Sequence, residues 1–130
     1  MREIRHVRQI PGENRRRWFT SADMDLIVWL NNADKPIAFE LCYDKQDAEH
    51  AITWHSTAGF RHMAIDDGEG RPGQYKSSPL LLANGVFDAR RVYSLFSASS
   101  DTMPSDIAVF VQRVLATHPH FKAHDTTHPS

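Results

Sequence analysis

Alternating apolar and polar residues dominate the first two thirds of the chain. Side chains of a β-strand point to opposite faces in turn, so this alternation predicts strands with one buried face. The clearest run is 37–43, whose apolar set is Ile37, Phe39, Leu41 and Tyr43. Residues 25–30 are almost continuously apolar, which predicts a strand buried on both faces. Further strands are predicted at Arg17–Thr20, Ala51–His55, Phe60–Asp66 and, more weakly, Tyr75–Leu82.

The C-terminal third changes to the period of an α-helix. Asp88 is a suitable N-cap for a helix to about Ser97, and Pro104 suits the first turn of a second helix that Pro119 ends. Apolar residues of the second helix recur on one stripe, namely Ile107, Phe110, Val111, Val114 and Leu115. Strands followed by helices predict the α+β class, an antiparallel meander of about five strands with two C-terminal helices packed on one face.

Length and composition indicate one ordinary domain. The chain has 130 residues, of which 41% are apolar and 24% charged, and these values are typical of a globular protein. We expect a single domain over residues 1–118 and a polar, His-containing, flexible tail over 119–130. No apolar run has the length of a signal peptide or a membrane span, and the one cysteine fits a reducing, cytoplasmic location.

Positive charge is concentrated at the start of the chain. Residues 1–17 hold six arginines and two glutamates, a local charge of +4, whereas the remainder holds nine basic and fourteen acidic residues, a charge of −5. This segment could meet an anionic partner, or it could lie against the acidic body of its own molecule or of a neighbouring subunit. Within it, the nucleic-acid candidates are Arg15, Arg16, Arg17 and Trp18, since nucleic-acid surfaces interleave basic and aromatic residues. No basic stripe continues along the chain, which favours local ion pairs instead.

The strands at 37–43 and 51–55 predict a hairpin with a polar face. If their apolar residues share one face, then Glu40, Cys42, Thr53 and His55 share the other. In one allowed register Glu40 faces His55 and Cys42 faces Thr53, with Cβ atoms about 5 Å apart. Such a site would use Cys42 as nucleophile, because an imidazole lowers the thiol pKa and a carboxylate orients the ring. A buried, unreactive thiol is the favoured alternative.

A second polar group lies along the next predicted hairpin and its loop. Its members are His55, His62, Asp66, Asp67 and Glu69. The candidate ligand-binding residues are Thr53, His62, Asp66, Asp67 and Glu69. Histidines and carboxylates suit a divalent metal, but the spacing matches neither a zinc signature nor an EF-hand loop. Turn formation accounts for the two aspartates, so we predict no metal and no cofactor.

Both faces of the strand at 25–30 are apolar, so the side of the sheet away from the helices also needs cover. The N-terminal segment or a second subunit would provide it, and we expect a homodimer.

Five short patterns occur in a fixed order along the chain: RRRWF, DLIVW, FELCYDK, ITW and DDGEGRPG. Over about residues 5–115 this order resembles a family of short bacterial proteins of uncharacterised function. The resemblance implies a self-contained bacterial domain, and it brings no activity, cofactor or catalytic residue.

Three functions follow from these patterns, in order of preference. The first is a non-catalytic cytoplasmic module that binds a protein or a small ligand as a homodimer. The second is a small hydrolase or transferase that uses Cys42 with His55, or a metal held by His62, Asp66 and Asp67. The third is nucleic-acid binding through the segment 15–19.

Overall fold

A computed structural model describes residues 1–46, 48–65 and 87–121. Its strands are β1 (Arg2–Ile4), β2 (Arg15–Thr20), β3 (Asp25–Leu30), β4 (Pro36–Tyr43), β5 (His50–His55) and β6 (Gly59–Ala64). Its helices are α1 (Ala89–Ser99) and α2 (Ser105–Ala116). The strands pair antiparallel in the order β1-β2-β3-β4-β5-β6, so each strand lies beside its neighbour in sequence.

The α+β class and the antiparallel meander are confirmed, with six described strands against the five or so predicted. The additional strand is β1, which has only three residues and therefore no period to recognise. The weak strand predicted at Tyr75–Leu82 lies outside the described residues, as does most of the predicted tail. Within the part of the chain that the structure describes, no helix is long and apolar enough to cross a membrane.

Local sequence explains where the elements begin and turn. Asp88 caps α1 as predicted, because its Oδ1 accepts a hydrogen bond from the Arg91 N–H at 3.1 Å. Between β3 and β4 the side-chain oxygen of Asn31 accepts hydrogen bonds from the N–H groups of Ala33 and Lys35. Gly59 begins β6 with φ +79°, a conformation that favours glycine.

The sheet has two faces, and the helices pack on one of them, which we call the inner face. Paired positions place one row of fully buried residues across β2 to β5, namely Phe19, Leu26, Leu41 and Ile52. The helices add a second buried layer of Val92, Phe96, Val111 and Leu115. Burial of each of these side chains contributes about 1.5–3 kcal/mol, so the inner face holds the core of the fold.

The opposite side of the sheet is the outer face. Three rows of paired residues form it. The first is Arg16, Trp29, Ala38, His55 and Gly59; the second is Trp18, Ile27, Glu40, Thr53 and Arg61; the third is Thr20, Asp25, Cys42, Ala51 and Met63. Its large side chains are half-buried at Trp18, Ile27, Trp29 and Met63. The prediction that the strand at 25–30 is buried on both faces is therefore wrong for the outer face, because β3 is fully buried only on its inner face.

Candidate functional site

The polar residues of the predicted hairpin share the outer face, as predicted. They are Glu40, Cys42, Thr53 and His55. Glu40 pairs with Thr53, Cys42 pairs with Ala51, and His55 pairs with Ala38. This register differs by two residues from the one that places Glu40 across from His55. Both registers satisfy the two-residue alternation, and the connection at 44–49 selects between them by placing His50 opposite Tyr43.

The same register separates Cys42 from His55. Cys42 lies four residues along β4 from Ala38, the partner of His55, which corresponds to about 13 Å at the rise of a β-strand. The Cys42 thiol instead donates to Glu40 Oε2 at 3.6 Å. Burial, and then the neighbouring Glu40 carboxylate, raise the pKa of Cys42 to about 12. The thiol is therefore protonated at neutral pH, and His55, the predicted base, lies too far away to remove the proton.

His55 is held by the turn that follows β5. Its Nδ1 accepts a hydrogen bond from the Thr57 N–H at 3.1 Å and lies 2.9 Å from the Thr57 hydroxyl. The ring is exposed at the end of the outer face, where its orientation is set without help from Glu40.

His62, the other candidate histidine, lies on the inner face because it pairs with the buried Ile52. The sheet therefore separates it from His55. Asp66, Asp67 and Glu69 lie outside the described residues. Among residues 1–46, 48–65 and 87–121, no group of three or more His, Cys, Asp or Glu side chains is placed to hold a metal ion.

The inner face carries a cluster that the sequence does not reveal. We call it the histidine cluster, and its members are Tyr43, His50, His62, Phe87, His118 and His120. His62 Nε2 lies 2.5 Å from the Tyr43 hydroxyl, and the rings of His50 and His62 stack with centroids 5.3 Å apart. His118 packs edge-on against Phe87 at 4.7 Å and is only 8% exposed.

Two imidazoles of this cluster, the half-buried His62 and the buried His118, are hard to protonate. Burial, followed by repulsion from His50, His118 and His120, lowers the pKa of His62 to about 4. Burial and then His120 lower the pKa of His118 to about 4 as well. The two rings are therefore neutral in the folded protein at pH 7.

The arginines of the predicted nucleic-acid segment have local partners. Arg17 makes a two-bond ion pair with Glu3 at 2.7 and 2.8 Å, and this hydrogen bonding lowers the pKa of Glu3. Arg15 lies 3.2 Å from Asp34, and Arg16 Nε donates to the backbone oxygen of Arg8 at 3.0 Å. Arg15 and Arg17 therefore form local ion pairs, whereas Arg16 bonds to the backbone. Trp18, the aromatic candidate, is half-buried on the outer face, where its Nε1 is shielded from solvent.

A groove of about 500 Å³ opens at the end of the sheet where β5 turns into β6. On the outer face it is lined by Trp29, Ala38, Glu40, Thr53, His55 and Arg61. Trp29 and His55 flank Ala38 in one row, so their backbones lie about 10 Å apart, twice the spacing between neighbouring strands. All three residues line the groove, and we call this part of it the slot, defined by Trp29, Ala38 and His55.

A β-bulge lies beside the slot. Trp29 pairs with Ala38 but the next residue, Leu30, pairs with Pro36, so Ile37 is an additional residue on β4. Bulges bend a strand and are common next to functional sites because they redirect neighbouring side chains. The sequence shows the alternating polar residues of this face, whereas the slot depends on which residues of three strands stand side by side.

The comparisons with known proteins identify no relative. The chain matches no protein-family model, no curated protein and no solved structure, and the resemblance to short bacterial proteins stays a prediction.

Proposed function

We propose that this protein is a non-catalytic binding module that takes up a small molecule in the slot of the outer face. The observation that carries the proposal is the slot itself, in which Ala38 forms a floor between the side chains of Trp29 and His55. A flat ring needs about 7 Å between the two groups that stack on it, and the backbone separation of about 10 Å leaves room for one.

The composition of the groove supports small-molecule binding. Ligand sites are concave, mostly apolar and supplied with a few polar groups that fix orientation. Here an indole, an imidazole and an alanine provide the apolar walls, while Glu40 and Thr53 lie in the adjacent row of the same face. The volume of about 500 Å³ belongs to the whole groove, which also reaches the inner-face residues Phe39, Trp54 and Phe60, and it lies within the usual range for small-molecule sites.

Cysteine-based catalysis is not supported by the geometry. A nucleophilic thiol needs a lowered pKa and a nearby base, whereas burial and Glu40 raise the pKa of Cys42 and His55 lies in a different row. The predicted homodimer and cytoplasmic location stay predictions, and sedimentation equilibrium is the test of the dimer.

Binding can be tested without an identified ligand by following the three indole N–H signals in ¹H–¹⁵N NMR spectra. The probes are indole, benzamide, benzoate and benzamidine, each at millimolar concentration. We expect at least one probe to shift the Trp29 signal more than those of Trp18 and Trp54, and Ala38→Leu to abolish that shift by filling the slot. Met63→Leu is the matched control, since Met63 is on the outer face but does not line the groove. Equal shifts in wild type and Ala38→Leu, or none with any probe, would refute the proposal.

A further inference from the structure

Glu40 is the charged group closest in the fold to the floor of the slot. It lies two residues along β4 from Ala38 and on the same face, which places the two Cα atoms about 7 Å apart. Its carboxylate is half-buried, and within the described part of the chain its hydrogen-bond partner is the Cys42 thiol, a weak donor at 3.6 Å. No cation among those residues forms an ion pair with it. A carboxylate in this position carries a charge that its surroundings do not compensate.

The basic side chains of the outer face lie further from Ala38 than Glu40 does. Arg61 lines the same groove, but it lies two strands from Ala38 and is exposed to solvent. Arg16 stands directly opposite Trp29, on the side away from Ala38, and its Nε donates to the Arg8 backbone. The charge nearest to the floor of the slot is therefore negative.

Trp29 provides the second recognition element. The face of an indole attracts cations more strongly than that of any other aromatic side chain, because its π-electrons are negative above the ring. Trp29 is half-buried, and no other described ring contacts it. An indole face beside an unpaired carboxylate is complementary to a group that is both flat and positively charged.

We propose that the slot binds a small planar organic cation, with its flat face on Trp29 and its N–H groups donating to Glu40. Amidinium, guanidinium and protonated amino-heteroaromatic groups have this chemistry, since all are flat, positively charged and rich in N–H donors. This inference rests on the proposed binding function and adds the charge of the ligand to it.

The test compares three probes of nearly equal shape and different charge. Benzamidine is cationic, benzamide is neutral and benzoate is anionic, and the dissociation constant of each is measured from the Trp29 indole shift. We expect benzamidine to bind about tenfold more tightly than benzamide, as a partly solvated charged hydrogen bond would provide, and benzoate to bind more weakly than both. Glu40→Gln should remove most of the difference between benzamidine and benzamide, whereas Glu13→Gln, at an exposed site outside the slot, should leave it unchanged.

The outcomes separate this inference from the proposed function. Equal binding of benzamidine and benzamide that Ala38→Leu abolishes would overturn the cationic ligand and leave the binding module in place. Absence of binding by every probe would overturn both. A short arginine-containing peptide that binds more tightly than benzamidine would overturn the inference by assigning the slot to a protein partner. In Trp29→Leu the indole signal is lost, so binding is followed by the backbone amide shift of Thr53, which also lines the groove, and folding is checked by circular dichroism. This variant should bind benzamidine at least fivefold more weakly, and an unchanged affinity would also overturn the inference.

Discussion

Acidification from pH 7.5 to pH 5 is expected to destabilise the fold through His62 and His118. In the unfolded chain these imidazoles take up protons as the pH falls through about 6.5, their ordinary pKa. In the folded protein both have a pKa of about 4, so they stay neutral over the same range. The unfolded state then binds more protons than the folded state, and the free energy of unfolding decreases as the pH falls.

The magnitude follows from the distance between the two pKa values. One unit corresponds to about 1.4 kcal/mol, so a fully buried histidine would lose about 2 kcal/mol between pH 6.5 and 5. Because His62 is partly exposed, solvent screening reduces its share to about 1 kcal/mol, whereas the buried His118 keeps about 2 kcal/mol. The expected loss is therefore about 3 kcal/mol by pH 5, with further loss down to about pH 4. Protonation of Glu3, whose ion pair with Arg17 lowers its pKa, adds to the loss only in the most acidic part of this range.

Urea unfolding followed by tryptophan fluorescence measures this free energy at each pH. His62→Gln and His118→Asn replace the ring nitrogens that lie against Tyr43 and His120 with neutral amides. The first should remove about one third of the pH dependence and the second about two thirds. His6→Asn is the control, because His6 is exposed and asparagine tolerates its positive φ of 63°. A free energy that is constant from pH 7.5 to 5, or a double variant that keeps the full slope, would refute the reasoning.

Three further changes test the capping, turn and thiol geometry. Asp88→Ala should lower the free energy of unfolding in urea by about 1 kcal/mol, because it removes the N-cap of α1. Asp88→Asn should retain most of the wild-type stability, and equal stability of all three proteins would contradict the cap. Gly59→Ala should also cost about 1 kcal/mol, because alanine is strained at φ +79°. The added Cβ would meet no atom within 4 Å, so a clash is not the cause, and a stabilised variant would contradict this backbone conformation. Alkylation of the half-buried Cys42 by iodoacetamide at pH 8 should be at least tenfold slower than in urea-unfolded protein, because its raised pKa leaves little thiolate. A native rate as high as the unfolded rate would contradict the raised pKa.

Periodicity determined most of the architecture before any contact was known. The two-residue alternation placed Phe39 and Leu41 on one face and Glu40 and Cys42 on the other, because successive side chains of a strand have no other arrangement. Asp88 marked the start of α1 for a similarly local reason, since an N-cap satisfies N–H groups only two or three residues away.

Tertiary structure decided everything that depends on how strands align. Alternation is unchanged by a slip of two residues, so the connection at 44–49 had to select the register that separates His55 from Cys42. The histidine cluster joins β5 and β6 to residues that follow α2, and no local pattern reports such distant contacts. The slot likewise needs Trp29, Ala38 and His55 from three strands to stand in one row. The sequence alone therefore determined which side chains share a face, and only the tertiary structure decided which of them are neighbours, since pairing across strands is fixed by loops and long-range packing.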